Sequence, residues 1–345
     1  MTVQVIPQID IEVRHATPDD ADGIAALYDR VYDGAYPIAE CTDPTLVRRI
    51  LTNREHTWVL ALDGGTVVGA SVARPDPATA RYELCRAAVD PAYRGRANYS
   101  AVFGRSLRTA IARPDCDVIY GYARSEQARR AFSRVPLTWS WTGTDGGMHR
   151  VAGEREEHLF GMVFNPERVV TRIVPTRPIV IPDSAVAHEI AVLNSVTRTG
   201  DYPSRIAAPG ATDFTHESDR GRVSYSVFGS SRAAVVGAVE GDSPEDVRHV
   251  LWEVVDGAMP SRIEHITMYA LADKLPVIAE LCRPDREDPT RRFAVRGYLP
   301  GWHKDGVARY DCVALAACLD GRIPQRLGLG DSMEAIYRSF PSALR

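Results

Sequence analysis

The residues best suited to chemistry lie between Glu83 and Ser125. An apolar run, Glu83-Leu-Cys-Arg-Ala-Ala-Val89, passes through Asp90-Pro-Ala-Tyr into Arg94-Gly95-Arg96-Ala97-Asn98-Tyr99-Ser100, and a helical pattern follows. A strand feeding a short loop and then a helix gathers unpartnered backbone N–H groups at the positive end of the helix dipole. Arg94 and Arg96 add two guanidinium groups at the same place. This combination suits the pyrophosphate of a nucleotide-like ligand, with coenzyme A the candidate. Glu83 precedes Val89 by an even number of residues, which in an unbroken strand directs both side chains to one face. Tyr120 and Tyr122 lie on the next predicted strand, and Ser125 reads as a helix cap.

The elements that must position these residues are legible on either side. Ile11–Arg14 reads as a strand, and Thr17-Pro-Asp-Asp opens a helix with apolar residues at Ile24, Leu27 and Val31. A short helix fits 43–51. Strands at 57–62 and 67–72 meet at Asp63-Gly-Gly, which is hairpin chemistry. The strand 82–89 then leads to a helix over 100–112, a strand over 118–122 and a helix from Ser125 through Phe132. A closing hairpin is expected to turn at Asp145-Gly-Gly and return through 157–164. Residues 165–182, dense in Pro, Arg and Val, read as an extended connection. Beyond it, strands at 223–228 and 233–239, a helix from Ser243, a strand at 263–270, a helix at 274–282 and a hairpin over 293–316 repeat the order of the first half.

Composition sets the frame. A chain of 345 residues exceeds what one core usually holds, so two domains are expected. With 45% hydrophobic and 25% charged residues and a net charge of −4, nothing advertises nucleic acid. The six cysteines form no CxxC pair, and the histidines from His149 to His303 have no metal-type spacing, so reduced thiols and no metal are expected. No apolar run is long enough to cross a membrane, and the N-terminal sequence has no leader-like pattern, which points to a cytoplasmic protein.

On these residues the segment 11–165 resembles the GCN5-related N-acetyltransferase (GNAT) superfamily. The resemblance rests on motif A, a strand ending in Val-x-Pro followed by Arg-x-x-Gly-x-Gly/Ala and a helix. Here Val89-Asp90-Pro91-Ala92-Tyr93-Arg94-Gly95-Arg96 matches, Ala97 replaces the first glycine, and Tyr99 replaces the second small residue. The segments Ala35-Tyr-Pro-Ile, Val68-Gly-Ala-Ser and Glu83 resemble the β-lysine acetyltransferase-type branch. Residues 183–320 resemble a second, degenerate GNAT repeat in which Glu240-Gly-Asp-Ser-Pro stands in place of the Arg-Gly-Arg loop. The resemblance implies an α/β (α+β) chain of two tandem GNAT-like domains, each a twisted mixed sheet flanked by helices. Its expected parts are a catalytic acyl-CoA-binding domain over 10–165, a linker over 166–182, the degenerate domain over 183–320 and a tail over 321–345.

The same resemblance implies roles. Glu83 is the candidate base. Phe132 stands where many members carry a proton-donating tyrosine, so Tyr122 is the candidate acid. The backbone at Ala88 and Val89 would face the thioester; Arg94, Gly95, Arg96, Ala97, Asn98 and Tyr99 would hold the diphosphate; Ser125 would bond the pantetheine arm. The implied activity is N-acyl transfer from acetyl-CoA or another acyl-CoA to a small amine or amino-acid-like acceptor, by a monomer or homodimer. Fem-type aminoacyltransferases are also twin GNAT repeats, so transfer from aminoacyl-tRNA is the alternative and the one reading that needs RNA. A third reading is a non-catalytic acyl-CoA sensor.

Overall fold

The computed structural model describes residues 11–94, 98–135, 137–176, 185–193, 197–206, 214–259, 262–289 and 291–345. The first half contains β1 (Ile11–His15), α1 (Ala21–Tyr32), α2 (Ala39–Thr42), α3 (Pro44–Asn53), β2 (Thr57–Asp63), β3 (Thr66–Asp76), β4 (Arg81–Val89) and α4 (Asn98–Ile111). It closes with β5 (Val118–Ala123), α5 (Glu126–Phe132), β6 (Ser140–Thr144), β7 (His149–Val151), β8 (Glu154–Glu156) and β9 (Leu159–Phe164). Local chemistry starts the helices where expected. Asp43 caps α3 by accepting from the N–H groups of Thr45 at 2.8 Å and Leu46 at 3.3 Å, with Pro44 in the first position. Ser125 caps α5 in the same way, accepting from Ala128 N at 3.3 Å.

The second half contains β10 (Thr171–Val174), α6 (Ala185–Val192), β11 (Thr197–Thr199), β12 (Phe214–Ser218), β13 (Gly221–Phe228), β14 (Ala233–Gly241), α7 (Pro244–Glu253), β15 (His265–Leu271), α8 (Leu275–Cys282), β16 (Ala294–Asp305), β17 (Ala308–Cys318) and α9 (Gly330–Arg338). The result is a mixed α/β chain with one large mixed sheet, ordered β1-β2-β3-β4-β5-β9-β6-β16-β17-β15-β14-β13-β12. Read outward from the β6–β16 contact, the two flanks carry the same pattern. β4 and β5 are parallel, as are β14 and β15, while β9 and β17 each return antiparallel between their neighbours.

At the centre Gly143 pairs with Gly297. A Cβ on Gly143 would lie 2.8 Å from the Gly297 Cα, and one on Gly297 would lie 2.5 Å from the Gly143 Cα. The sheets join because neither residue carries a side chain. Apolar residues of both halves fill one core around Phe103, Phe132, Trp139, Val247, Trp252 and Phe293, and a second between the halves around Phe160, Met162, Phe164, Leu299 and Trp302.

Three expectations change. The turn at Asp145-Gly-Gly does not return directly, because a separate β7–β8 hairpin, turning at Ala152-Gly153 with positive φ, is inserted first. The segment expected as a linker carries β10, which lies parallel to both β11 and β17. The tail contains α9, which buries Met333, Ile336 and Tyr337, and the Tyr337 hydroxyl donates to Glu157. Its apolar spacing, read over 330–338, was a signal of docking.

Candidate active site

β4 and β5 pair only from Arg81–Val118 through Leu84–Gly121 among the described residues, although β4 continues to Val89 and β5 to Ala123. Beyond Leu84 the two strands part and leave backbone facing a gap. The cause is a bulge in β4: Val72 of β3 is opposite Cys85, yet Ala70 is opposite Ala88, so one extra residue is accommodated. Arg86 takes φ 51° there. The Tyr28 hydroxyl donates to the Arg86 carbonyl, and the buried Arg86 guanidinium pairs with Glu40, so α1 and α2 hold the distortion in place.

The bulge corrects one inference. Because the extra residue lies between them, Glu83 and Val89 point to opposite faces despite their even spacing. Glu83 shares its face with Tyr120, its register partner, and with Tyr122. Tyr82, Leu84 and Ile119 face the core beneath α4 and α5. Phe132 packs there as well, with ring centroids 4.6 Å from both Phe103 and Trp139. It offers no proton.

On the Glu83 face a cavity of about 280 Å³ lies between the two halves. The first half contributes Arg74, Glu83, Tyr120, Tyr122 and His149, and the second contributes Ser226, Val235, Tyr269 and Trp302. The walls correspond through register. Arg74 is opposite Glu83 in the first half, and Ser226 is opposite Val235 in the second. Tyr122 and Tyr269 each occupy the fifth position of equivalent strands, and both line the cavity. Only the first half places a carboxylate in this wall at the Glu83–Val235 pair of positions.

Electrostatics separate the roles. Glu83 is 7% exposed and paired with Arg74, which it holds in the charged form. Arg81 bonds Asp76 at 2.8 Å and lies over the Trp302 ring at 3.8 Å. Burial pushes the Tyr122 phenol well above its ordinary pKa, so it keeps its proton and acts as a donor. Asp145, His149 and His158 also come together, with possible ligand atoms within 4.8 Å of one another. Their contacts are those of a hydrogen-bonded chain: Asp145 Oδ2 lies 2.5 Å from His149 Nδ1, and the two imidazoles stack at 4.6 Å. The sequence reading missed this group, because Asp145-Gly-Gly carries a turn signal and its partners lie apart, His149 in β7 and His158 between β8 and β9.

The expected cofactor residues divide. Ala88 and Val89 lie beyond the bulge, beside the gap, and Ser125 caps α5. Arg94 is exposed at the end of the turn following Asp90, whose side chain accepts from Ala92 N at 3.0 Å. Gly95, Arg96 and Ala97 lie outside the described residues, and Asn98 and Tyr99 enter only as backbone of α4.

Residues 22–135 match the model of the Acetyltransferase (GNAT) family. The chain therefore carries a GNAT acetyltransferase domain in its first half, with the strand-loop-helix segment inside the match. Similar solved structures include a ribosomal-protein-S5-alanine acetyltransferase from Vibrio fischeri, with 13% identity, 46% of this chain and 94% of that chain covered, and a TM-score of 0.39. A putative acetyltransferase from Salmonella typhimurium, solved with its cofactor acetyl-CoA, has 16% identity over 46% of this chain and 96% of that chain, with a TM-score of 0.39. A spermidine N-acetyltransferase from Vibrio cholerae has 11% identity over 45% of this chain and 94% of that chain, with a TM-score of 0.38. Comparison with curated proteins gives no match.

Proposed function

We propose that this chain transfers an acyl group, with acetyl the first candidate, from coenzyme A to a small amine held in the cavity between its halves. The reading is carried by one observation: the gap between β4 and β5 adjoins the strand face on which Glu83, Tyr120 and Tyr122 meet the second half. Pantetheine would lie in the gap beside Ala88 and Val89, with its amides completing the open strand edge. Arg94 and the following loop would take the diphosphate. A backbone N–H of β4 would face the thioester oxygen as charge develops, a contribution of ~2.7–4 kcal/mol to the transition state in well-studied oxyanion sites.

Glu83 attracts the ammonium of the acceptor, and Arg74 holds its carboxylate in place. Tyr122 is the donor for the departing thiolate. Residues 10–165 act as the catalytic unit, and residues 183–320 roof the acceptor cavity, where a dimer partner would otherwise stand. The aromatic lining from Tyr120, Tyr269 and Trp302 suits an amine with an apolar or cationic body.

Calorimetric titration with acetyl-CoA tests the reading. Binding well below ~1 mM is expected, with at least a ~10-fold loss when Arg94 and Arg96 are both replaced by alanine. No binding by the intact chain at ~1 mM removes the reading.

A further inference from the structure

His149 opens the inserted hairpin and projects to the cavity wall, with a side chain 32% exposed. Its ring centroid is 5.5 Å from that of Tyr122. Nδ1 is 2.5 Å from Asp145 Oδ2. An ionised carboxylate only accepts, so this contact puts the proton on Nδ1 and leaves the lone pair on Nε2. Nε2 has no hydrogen-bond partner among the described residues. Asp145 is held by the fold: its other oxygen accepts from Gly147 N at 3.0 Å and His158 N at 2.8 Å. Behind it, His158 bonds Glu156 at 3.2 Å, and Arg124 clamps Glu156 at 2.5 and 2.7 Å.

We propose that His149, oriented by Asp145, is the proton acceptor that prepares the bound amine for attack. This rests on the transferase reading above and assigns the step that Glu83, already engaged by Arg74, does not supply. Nε2 takes one proton from R–NH3+. The freed nitrogen lone pair forms the C–N bond to the thioester carbonyl, the C–S pair leaves as coenzyme A thiolate, and a second N–H proton reaches that sulfur through Tyr122. His149 then returns its proton to solvent.

The imidazole is tuned by everything that faces it. Asp145 from the turn after β6 favours the charged ring, as does Glu83 of β4. Arg74 of β3 opposes it, His158 stacks beside it, and Tyr122 of β5 stays neutral. The Gly229–Ser231 turn packed on β7 brings no ionisable side chain. Burial works against the charged form, but Asp145 outweighs it, and the ring's pKa rises above its ordinary value.

The test uses the full chain, acetyl-CoA and a panel of primary amines, with thiol release as the readout. For the best amine, H149Q should lower kcat by ~100-fold, within the usual range for general acid–base catalysis. It should leave acetyl-CoA affinity unchanged and erase the near-neutral limb of the pH profile. Nitrogen-15 spectra of the histidine side chains should show one ring protonated at Nδ1 with a free Nε2, absent in H149Q and altered in D145N. If H149Q turns over within ~3-fold of wild type with its pH limb intact, the assignment is wrong while the transferase reading stands. If the wild type binds acetyl-CoA yet releases no thiol with any amine, both fall. One-to-one binding of Zn2+ that is lost in both H149Q and H158Q overturns the assignment and makes the trio a metal site.

Discussion

Glu83 and His149 present different atoms to the same cavity. The Glu83 carboxylate is engaged by Arg74, so its value to an amine is electrostatic attraction, whereas His149 offers an unoccupied nitrogen. Replacing Glu83 by glutamine should therefore raise the KM for the amine by ~10-fold, about 1.4 kcal/mol of binding, with a smaller effect on kcat; steady-state kinetics at varied amine concentration separates the two. Asp145 adds a consequence for stability. Burial works to raise its pKa, but His158 and His149 more than offset this and bring it down to about 2, against an ordinary 3.8. The unfolded chain thus binds a proton first as the solution is acidified. Roughly 2 kcal/mol of stability is present above pH 4 and is lost as pH falls towards 2. In D145N, urea midpoints should be lower at neutral pH and flatter between pH 4 and 2. At this scale the sequence brought Glu83 and Tyr122 forward by residue type and strand position, and both line the cavity. It was silent on the Asp145–His149 pair, since nothing local indicates that a turn carboxylate and the first residue of an inserted hairpin meet at a cavity.

Elements transmit these placements. The β4 bulge opens the gap to β5, and α1 and α2 hold it through Tyr28 and Glu40. The strand itself was legible from its apolar run, but the bulge was not. Arg86 belongs to a residue type that gives no warning of a positive φ, so a parity argument across it reversed the facing of Val89. The pairing of β6 with β16 is equally specific. A methyl group on Gly143 meets the Gly297 backbone at 2.8 Å, and backbone has no rotamer with which to yield. G143A and G297A should each destabilise the chain by about 1–3 kcal/mol, the usual cost of overpacking, measured as a shift in urea midpoint. Both strands were expected from sequence, whereas their union was not, because it depends on a contact between residues far apart in the chain.

Across the whole molecule the halves are locked by more than the sheet. Asp117 of the first half accepts from Arg309 at 3.1 Å and Lys304 at 3.0 Å, and the Arg309 side chain is fully buried. Burial brings the pKa of Arg309 down to about 10, so at neutral pH it remains charged and needs its partner. D117A should cost about 3–5 kcal/mol, the range for leaving a buried charge uncompensated, and should lower the melting temperature in a single transition. The repeated strand order was visible in sequence because the alternation of apolar runs and turn signals is local. The shared cavity was not, since it depends on how two halves face each other.

The Glu83–Val235 difference sets a count and a direction. Two identical subunits related by a true two-fold axis would offer two equal mouths, and a guest could enter from either side. Here acid is on one wall and an aliphatic side chain on its counterpart. For the proposed transfer reaction this asymmetry predicts one guest per chain, bound in a single polarity with its amino end toward the Glu83 wall.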